Sequence, residues 1–482
     1  MHIYTEAEIR QADKEASIHG LSENALMETA GRSLFQRIVT LVSKQDRILI
    51  LAGRGNNGGD AIVLARYFLQ NGYNAELVFP FGLPKSKTAK EHFSYYKSLG
   101  FSYCEKVHTD EKYDVIIDGL LGVGVKLPLS DNYLELLRYC NNEKSLRISI
   151  DLPTGVQADS GKTDYAFHAH YTFSLHGFKP SAFLLPAAKY YGKKDVLDIG
   201  LVHRSKWRIW SKEDVKGTLG RRDRFSHKGT FGTGLLIAGS DDMPGSMLLA
   251  AMGAMHLGVG KLIIGTTKFA ASIACSNLPE ATYWFNGLEK CANGEFPEDI
   301  RACAIGPGIS NKSLVEKAVN HLMERDIPLV LDAGALFDRK YSKRAAPLVI
   351  TPHPGEFARI LGMSTEKVQQ ERISLASSYA QEHQIIVVLK GADTVIAYPD
   401  GTGVINPTGN SGLAKGGSGD TLTGMLLAML STEKDAYSAV ANAVYIHGMC
   451  ADELVKVQDE RSISASQIAN IIGTVLRKNI LI

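Results

Sequence analysis

Strand-length apolar runs recur along this sequence, several ending in glycine or aspartate, with polar loops and stretches of helical spacing among them. RILILAG (Arg47–Gly53), AELVF (Ala75–Phe79), DVIID (Asp114–Asp118), LRISID (Leu146–Asp151) and YTFSL (Tyr171–Leu175) are the runs of the first half. Continuous apolar runs this short read as strands buried on both faces. The segments between them read as helices: Thr5–Ala16, opened by a Thr5/Glu8 capping box, then about Glu23–Val42, GDAIVLARYFLQNG with its stop at Gly72, and Thr88–Leu99. Strand and helix in alternation predict an α/β fold, a sheet covered on both faces.

A chain of 482 residues exceeds what one core usually holds. The interval 201–224 is rich in Arg, Lys, Asp and Trp with weak apolar periodicity, which puts a domain boundary near Ser211 and gives domains 1–210 and 211–482. The sheet pattern restarts at Gly234–Gly239 and continues through Lys261–Thr267, 303–306, 328–333, 347–352 and 385–391. Helices are expected over Ser246–Leu257, Thr421–Leu430 and Asp435–Asp452. No period joins the halves, so they read as fused rather than duplicated.

Formal charge is +2, from 53 basic and 51 acidic side chains, which gives no basic surface for nucleic acid. The six cysteines form no CxxC pair, and no His cluster completes a zinc spacing, so they read as reduced thiols. The first residues carry charge early and lack an apolar signal core, and no apolar run reaches membrane length. A cytoplasmic chain without membrane attachment is expected, as is assembly into a homo-oligomer.

The chemistry concentrates where strands end, the place where ligands bind in open α/β sheets. AGRGNNGGDA (Ala52–Ala61) joins a strand to its helix, and its N–H groups with the helix start suit a phosphate. It is neither GxGxxG nor a Walker loop. Asn57, Asp118 and Thr154 fall at successive strand ends and offer oxygen ligands for a hard cation, while Asp151 can act as acid or base. In the second half, TPHPGEF (Thr351–Phe357) reads as a proline-fixed loop presenting His353 and Glu356. TGNSGLAKGGSGDTLTG (Thr408–Gly424) sets Gly416, Gly417 and Gly419 as an anion nest before a helix, with Asp420 placed to take a proton. Lys390 to Thr394, between two strands, can cover a nucleotide.

These motifs resemble the YjeF family. ALMETAG (25–31), NNGGD (56–60), IDGLLGVG (117–124) and DLPTG (151–155) resemble its N-terminal NAD(P)HX epimerases. The second half resembles its ADP- or ATP-dependent NAD(P)HX dehydratases. The resemblance implies a Rossmann-like three-layer domain fused to a ribokinase-like α/β domain. It implies that Asn56, Asn57, Gly58, Gly59, Asp60, Gly122, Val123, Gly124, Val125, Lys126, Leu127, Pro128 and Asp151 contact the hydrated dinucleotide. Potassium is implied at Asn57, Asp118 and Thr154. In the second domain it implies that Ser246, Gly308, His353 and Asp420 bind substrate. Lys390, Gly391, Ala392, Asp393, Thr394 and Gly419 are implied to bind ADP, with magnesium at its phosphates, and Asp151 and Asp420 to be catalytic. ADP rather than ATP follows from the fused order, typical of bacterial members. The implied reaction epimerises NADHX and NADPHX and dehydrates the S form, giving AMP and phosphate. The chain departs from the family at Ala61, Thr154, Ser246 and Gly334; the last removes a second Asp common there. Two other readings stand open: a small-molecule kinase with a regulatory N-terminal domain, and a non-catalytic nucleotide sensor.

Overall fold

The computed structural model describes residues 1–480. They divide into two compact units, one of residues 1–208 with 369–371 and one of 209–368 with residues from 372 onward.

In the first unit, helices α1 (Glu6–Ile18) and α2 (Glu23–Ile38) precede strand β1 (Ile48–Ala52). The chain then alternates through α3 (Asn56–Gln70), β2 (Ala75–Val78), α4 (Lys87–Ser98), β3 (Val115–Gly119), α5 (Asp131–Asn142) and β4 (Leu146–Ile150), and ends in β5 (Tyr171–Leu175) and β6 (Lys193–Leu197), with no α-helix among the described residues between these last three strands. The sheet runs β2-β1-β3-β4-β5-β6 with every pair parallel. Ile48 to Ala52 are fully buried, as an apolar run at a sheet centre requires. The Thr5/Glu8 capping box opens α1: the Glu8 N–H donates to Thr5 Oγ1 at 3.3 Å and the Thr5 N–H to Glu8 Oε2 at 2.7 Å. α2 stops at Ile38, four residues before the expected Val42, and a turn follows at 40–41. β6, KKDVL, is an edge strand whose charges face outward; it lacks the apolar pattern by which inner strands are read.

The second unit opens its sheet with β7 (Thr233–Ile237), followed by α6 (Pro244–Leu257), β8 (Lys261–Thr266), β9 (Thr282–Phe285), β10 (Ala302–Ile305), β11 (Leu329–Leu331) and β12 (Leu348–Ile350). Then come α7 (Pro354–Leu361), α8 (Arg372–His383), β13 (Ile386–Leu389), β14 (Thr394–Ala397), β15 (Gly403–Asn406), α9 (Ser418–Thr432), α10 (Ala436–Leu454) and α11 (Ala465–Val475). Within this unit the strand order is β15-β14-β13-β12-β11-β10-β7-β8-β9. It is parallel except for the β13-β14-β15 meander, joined by short turns that only antiparallel neighbours allow. No helix among the described residues is long and apolar enough to cross a membrane.

The core of this unit is built on α9, whose residues from Thr421 to Ser431 are all buried. It crosses α6 at backbone contact. A Cβ at Gly424 would lie 1.7 Å from the Ala250 carbonyl oxygen, and one at Gly253 2.3 Å from the Thr421 oxygen. Gly424→Ala should therefore force the helices apart. Overpacking costs about 1–3 kcal/mol or more, against about 1 kcal/mol gained from better helix propensity. With backbone as the obstacle the clash wins, and the urea midpoint should fall by the equivalent of about 2 kcal/mol. An unchanged midpoint would contradict the close crossing.

Candidate active sites at the two strand-order reversals

In the first sheet the chain steps from β1 out to β2, then returns to lay β3 on the other side of β1. Such a reversal leaves a crevice beyond the strand ends. A cavity of about 390 Å³ opens there, lined by Asn56, Asn57, Asp60, Gly122, Val123, Gly124, Val125 and Asp151 among the expected residues, and by Asp13, His176 and Lys179. Lys126, Leu127 and Pro128 do not line it. Gly58 and Gly59 lie behind it: a Cβ would sit 1.8 Å from the Gly53 oxygen or 2.5 Å from Met27 Cε. Gly58 seats α3 against the end of β1, and Gly59 lets α2 and α4 pack closely on α3. The N-cap Gly55 brings no side-chain acceptor, so the first N–H groups of α3 remain available to an anion.

Asp118, at the end of β3, is fully buried. Its carboxylate accepts from Thr154 N at 2.8 Å, Thr154 Oγ1 at 2.7 Å, Leu120 N at 3.2 Å and Ser149 Oγ at 3.3 Å. All four donors are neutral, and burial pushes the carboxyl up to about 6. Asn57 Nδ2 donates to the Leu121 oxygen at 3.0 Å, and Leu121 N donates to Thr154 Oγ1 at 3.1 Å. Asn57, Asp118 and Thr154 thus meet around Leu120 and Leu121. A buried carboxylate with neutral donors, beside amide and hydroxyl oxygens, fits a hard cation.

Asp151 follows β4 in the left-handed region, φ 67°. Its Oδ1 accepts from Leu175 N at 3.0 Å and from the buried Lys179 ammonium, which also donates to the Gly177 oxygen at 3.3 Å. Burial, reinforced by Asp151 and Asp13, pushes Asp60 well above the usual carboxylate range. The cleft therefore sets a carboxyl that burial biases toward its protonated form beside the Asp151–Lys179 ion pair, groups that can both give and take protons.

In the second sheet the reversal lies between β7 and β10. Gly239 N donates to the Pro307 oxygen at 2.8 Å across it. Gly308, at φ 66°, packs on Ser246, where a Cβ would come within 2.8 Å of the serine Cβ. Ser246 in the first turn of α6 hydrogen-bonds Asp420 in the first turn of α9; burial raises the Asp420 carboxyl. Asp332, just beyond β11, accepts from Lys390 Nζ at 2.9 Å and from Thr351 Oγ1 and Thr423 Oγ1, both at 2.7 Å. Burial opposes its charge, but Lys390 and the two hydroxyls prevail and hold it below the usual range. Lys390 is raised in turn: burial works against its charge, and Asp332 and Glu356 outweigh it. Gly419 adjoins this ammonium, 3.4 Å from a built Cβ.

The TPHPGEF segment is not the loop expected of it. Pro354 starts helix α7, since proline is at home in a first turn where its missing N–H is not needed. His353 is the N-cap: Nδ1 accepts from Gly355 N at 3.0 Å and Glu356 N at 3.3 Å, while Glu356 Oε2 accepts from His353 N at 2.8 Å. The segment borders the lysine through Lys390 N, which donates to the Pro352 oxygen at 2.9 Å.

Residues 23–181 match the family described as YjeF-related protein N-terminus, and residues 234–474 that described as NAD(P)H-hydrate dehydratase. The bifunctional NAD(P)H-hydrate repair enzyme Nnr of Moorella thermoacetica is 32% identical over 99% of this chain and 97% of its own. The chain belongs to the bifunctional NAD(P)H-hydrate repair enzymes. It is an enzyme of metabolite repair, an epimerase joined to a nucleotide-dependent dehydratase. The ADP-dependent (S)-NAD(P)H-hydrate dehydratase of Bacillus subtilis is 49% identical over 56% of this chain and 98% of its own. A crystal structure of the Bacillus subtilis ADP/ATP-dependent NAD(P)H-hydrate dehydratase, co-crystallised with ATP/Mg2+, superposes with a TM-score of 0.56, at 48% identity over 56% of this chain and 98% of that one. A ribokinase-like protein of Enterococcus faecalis, 23% identical over 58% of this chain and 98% of its own, shares the fold at a TM-score of 0.51. The first half is Rossmann-like and the second ribokinase-like.

Sequence reading missed Lys179, Asp332 and Arg372. HGFKP follows the recognised run YTFSL, and Asp332 ends PLVLDA, so the strand-end rule applied to both could have found them. Arg372 has no motif. It lies buried under the 390–394 loop, donating to the oxygens of Ala392 and Leu389 at 2.8 Å and of Lys390 at 3.1 Å. Gly334 packs under Ile309, whose oxygen would be 2.0 Å from a Cβ, so the carboxylate of this region is Asp332. Arg372→Met removes the donor shared by these carbonyls. Charged hydrogen bonds contribute about 1.5–3 kcal/mol each, so the loop should shift and the KM for nucleotide rise by about tenfold or more. Epimerisation measured in parallel should be retained. An unchanged KM would remove the positioning role.

Proposed function

We propose that residues 1–210 carry the epimerase and residues 211–482 the ADP-dependent dehydratase, working in the cytoplasm on NADHX and NADPHX. The observation that carries this assignment is a strand-order reversal in each half with acid–base carboxylates beyond it. In the first half, Asn56, Asn57, Asp60, Gly122 to Val125 and Asp151 receive the hydrated dinucleotide, with Asp151 and its Lys179 partner exchanging protons near C6. Potassium held by Asn57, Asp118 and Thr154 supplies the positive charge that the buried Asp118 lacks. In the second half, Ser246, Gly308, His353 and Asp420 hold the S epimer, and Lys390 to Thr394 with Gly419 hold ADP. Asp420 takes the proton of the C6 hydroxyl as it attacks the terminal phosphorus of ADP, and AMP departs. The C6 phosphate then leaves as C5 loses a proton, which restores the double bond. Phosphate is the better leaving group, which is why a kinase-like fold serves a dehydration. Magnesium at the nucleotide phosphates supplies charge neutralisation.

Mixed NADHX epimers incubated with ADP and Mg2+ should recover NADH absorbance and release inorganic phosphate. A stable phosphorylated product would replace this reading with a kinase.

Asp420→Asn keeps the side-chain shape and loses the base. Dehydration of the S epimer should fall about 100- to 10,000-fold while epimerisation persists. Asp151→Asn should do the reverse, with R epimer accumulating. Assays on each purified epimer separate the outcomes, and near-normal dehydration by Asp420→Asn would end the base assignment.

The Asp118 carboxyl, held near 6, binds its proton more tightly folded than unfolded. Its ionisation thus opposes folding above that pH by about 3 kcal/mol, and the penalty fades as pH falls from about 6 toward about 4. Potassium should therefore raise the urea midpoint at about pH 7.5 and do little at about pH 4.5. Equal effects at both pH values, or none, would remove the cation from Asp118.

A further inference from the structure

At the edge of the first sheet, away from the cleft, three side chains of different donor type converge. Glu76 lies in the edge strand β2. The chain at Cys104 lies alongside it: Cys104 N donates to the Leu77 oxygen and Phe79 N to the Cys104 oxygen, both at 2.9 Å. His108 stands after the following turn, with Nε2 3.7 Å from Glu76 Oε1. The thiol sulfur, an imidazole nitrogen and a carboxylate oxygen all lie within 4.8 Å of one another. Donors around a tetrahedral zinc, bound at about 2.0–2.3 Å, stand about 3.3–3.7 Å apart. The His–Glu pair already has that spacing, and the exposed His108 can close the rest.

The surroundings suit a cation. The second carboxylate oxygen, Glu76 Oε2, is oriented by the Tyr113 hydroxyl at 3.0 Å, the kind of supporting bond that fixes a ligand. Arg47 also reaches this oxygen, at 3.4 Å, and is itself paired with Glu111, so Oε1 is the carboxylate oxygen that faces His108. Thiolate, imidazole and carboxylate together select a borderline divalent ion, zinc first. We propose that Glu76, Cys104 and His108 form a zinc-binding site, with water completing the coordination, that clips the 104–108 segment to the sheet edge. None of the three lines the catalytic cleft.

Full-length protein freed of metal by a chelator should bind one Co2+ with a thiolate-to-cobalt charge-transfer band that Zn2+ bleaches. Cys104→Ser should abolish the band and weaken Zn2+ by more than about 100-fold, and Tyr113→Phe should weaken it about 10- to 100-fold. Zn2+ should raise the Tm of the native protein and leave that of Cys104→Ser unmoved. Retained epimerisation certifies that each variant is folded. Absence of the band, its persistence in Cys104→Ser, or its loss in Cys275→Ser, which alters the exposed cysteine, would overturn the site.

Discussion

A carboxylate removed from water must be neutralised, and this chain does so in two ways at strand ends in two sheets. Asp332 keeps its charge in the interior because Lys390 stands 2.9 Å away and two threonine hydroxyls fill its remaining lone pairs. Asp118 is just as buried but has only neutral donors, and its proton is held to about 6. The first arrangement fixes a lysine ammonium beside Gly419 at the start of α9. The second leaves an unmet need for positive charge, and the neighbouring Asn57 and Thr154 oxygens give that need a location. Unpaired buried charge is costly enough that such positions dictate what binds beside them.

The same contrast appears within the first cleft. Asp60 and Asp151 share one cavity yet differ in surroundings. Asp151 has an ammonium and a backbone N–H on its carboxylate, whereas Asp60 is buried with two other carboxylates acting on it. Environment therefore separates two identical side chains: Asp151 is ion-paired, and burial biases Asp60 toward its protonated form. The left-handed backbone at Asp151 turns its side chain back over the strand end.

The parts legible in the sequence were those where one physical signal acts alone. Buried inner strands such as Ile48–Ala52 announce themselves because both faces must be apolar. Glycine-rich turns at the reversals were legible because only small residues permit those approaches. The edge strand Lys193–Leu197 was not, since an edge needs charge rather than an apolar pattern. TPHPGEF misled because proline breaks a helix interior but starts a helix well, and position within the element cannot be seen before its boundary is known. Arg372 was invisible for a different reason: its partners are backbone carbonyls, which carry no sequence signal.

The second site shows how far packing alone can build chemistry. α6 and α9 cross at glycines, so their backbones touch and their first turns come together. Met243 and Gly417 cap these helices without side-chain hydrogen bonds, leaving free N–H groups and two positive dipole ends at one place. The α10 residue His447, which burial keeps neutral by lowering it to about 4, ties the start of α9 through the Ser418 oxygen at 3.0 Å. An anion drawn to this point meets Asp420 and Ser246, already joined by a hydrogen bond, with Lys390 behind them. A bulkier crossing would separate the two helix starts and with them Asp420, Ser246 and the free N–H groups. The glycines deep in the helix pair therefore set the geometry at the helix starts from a distance.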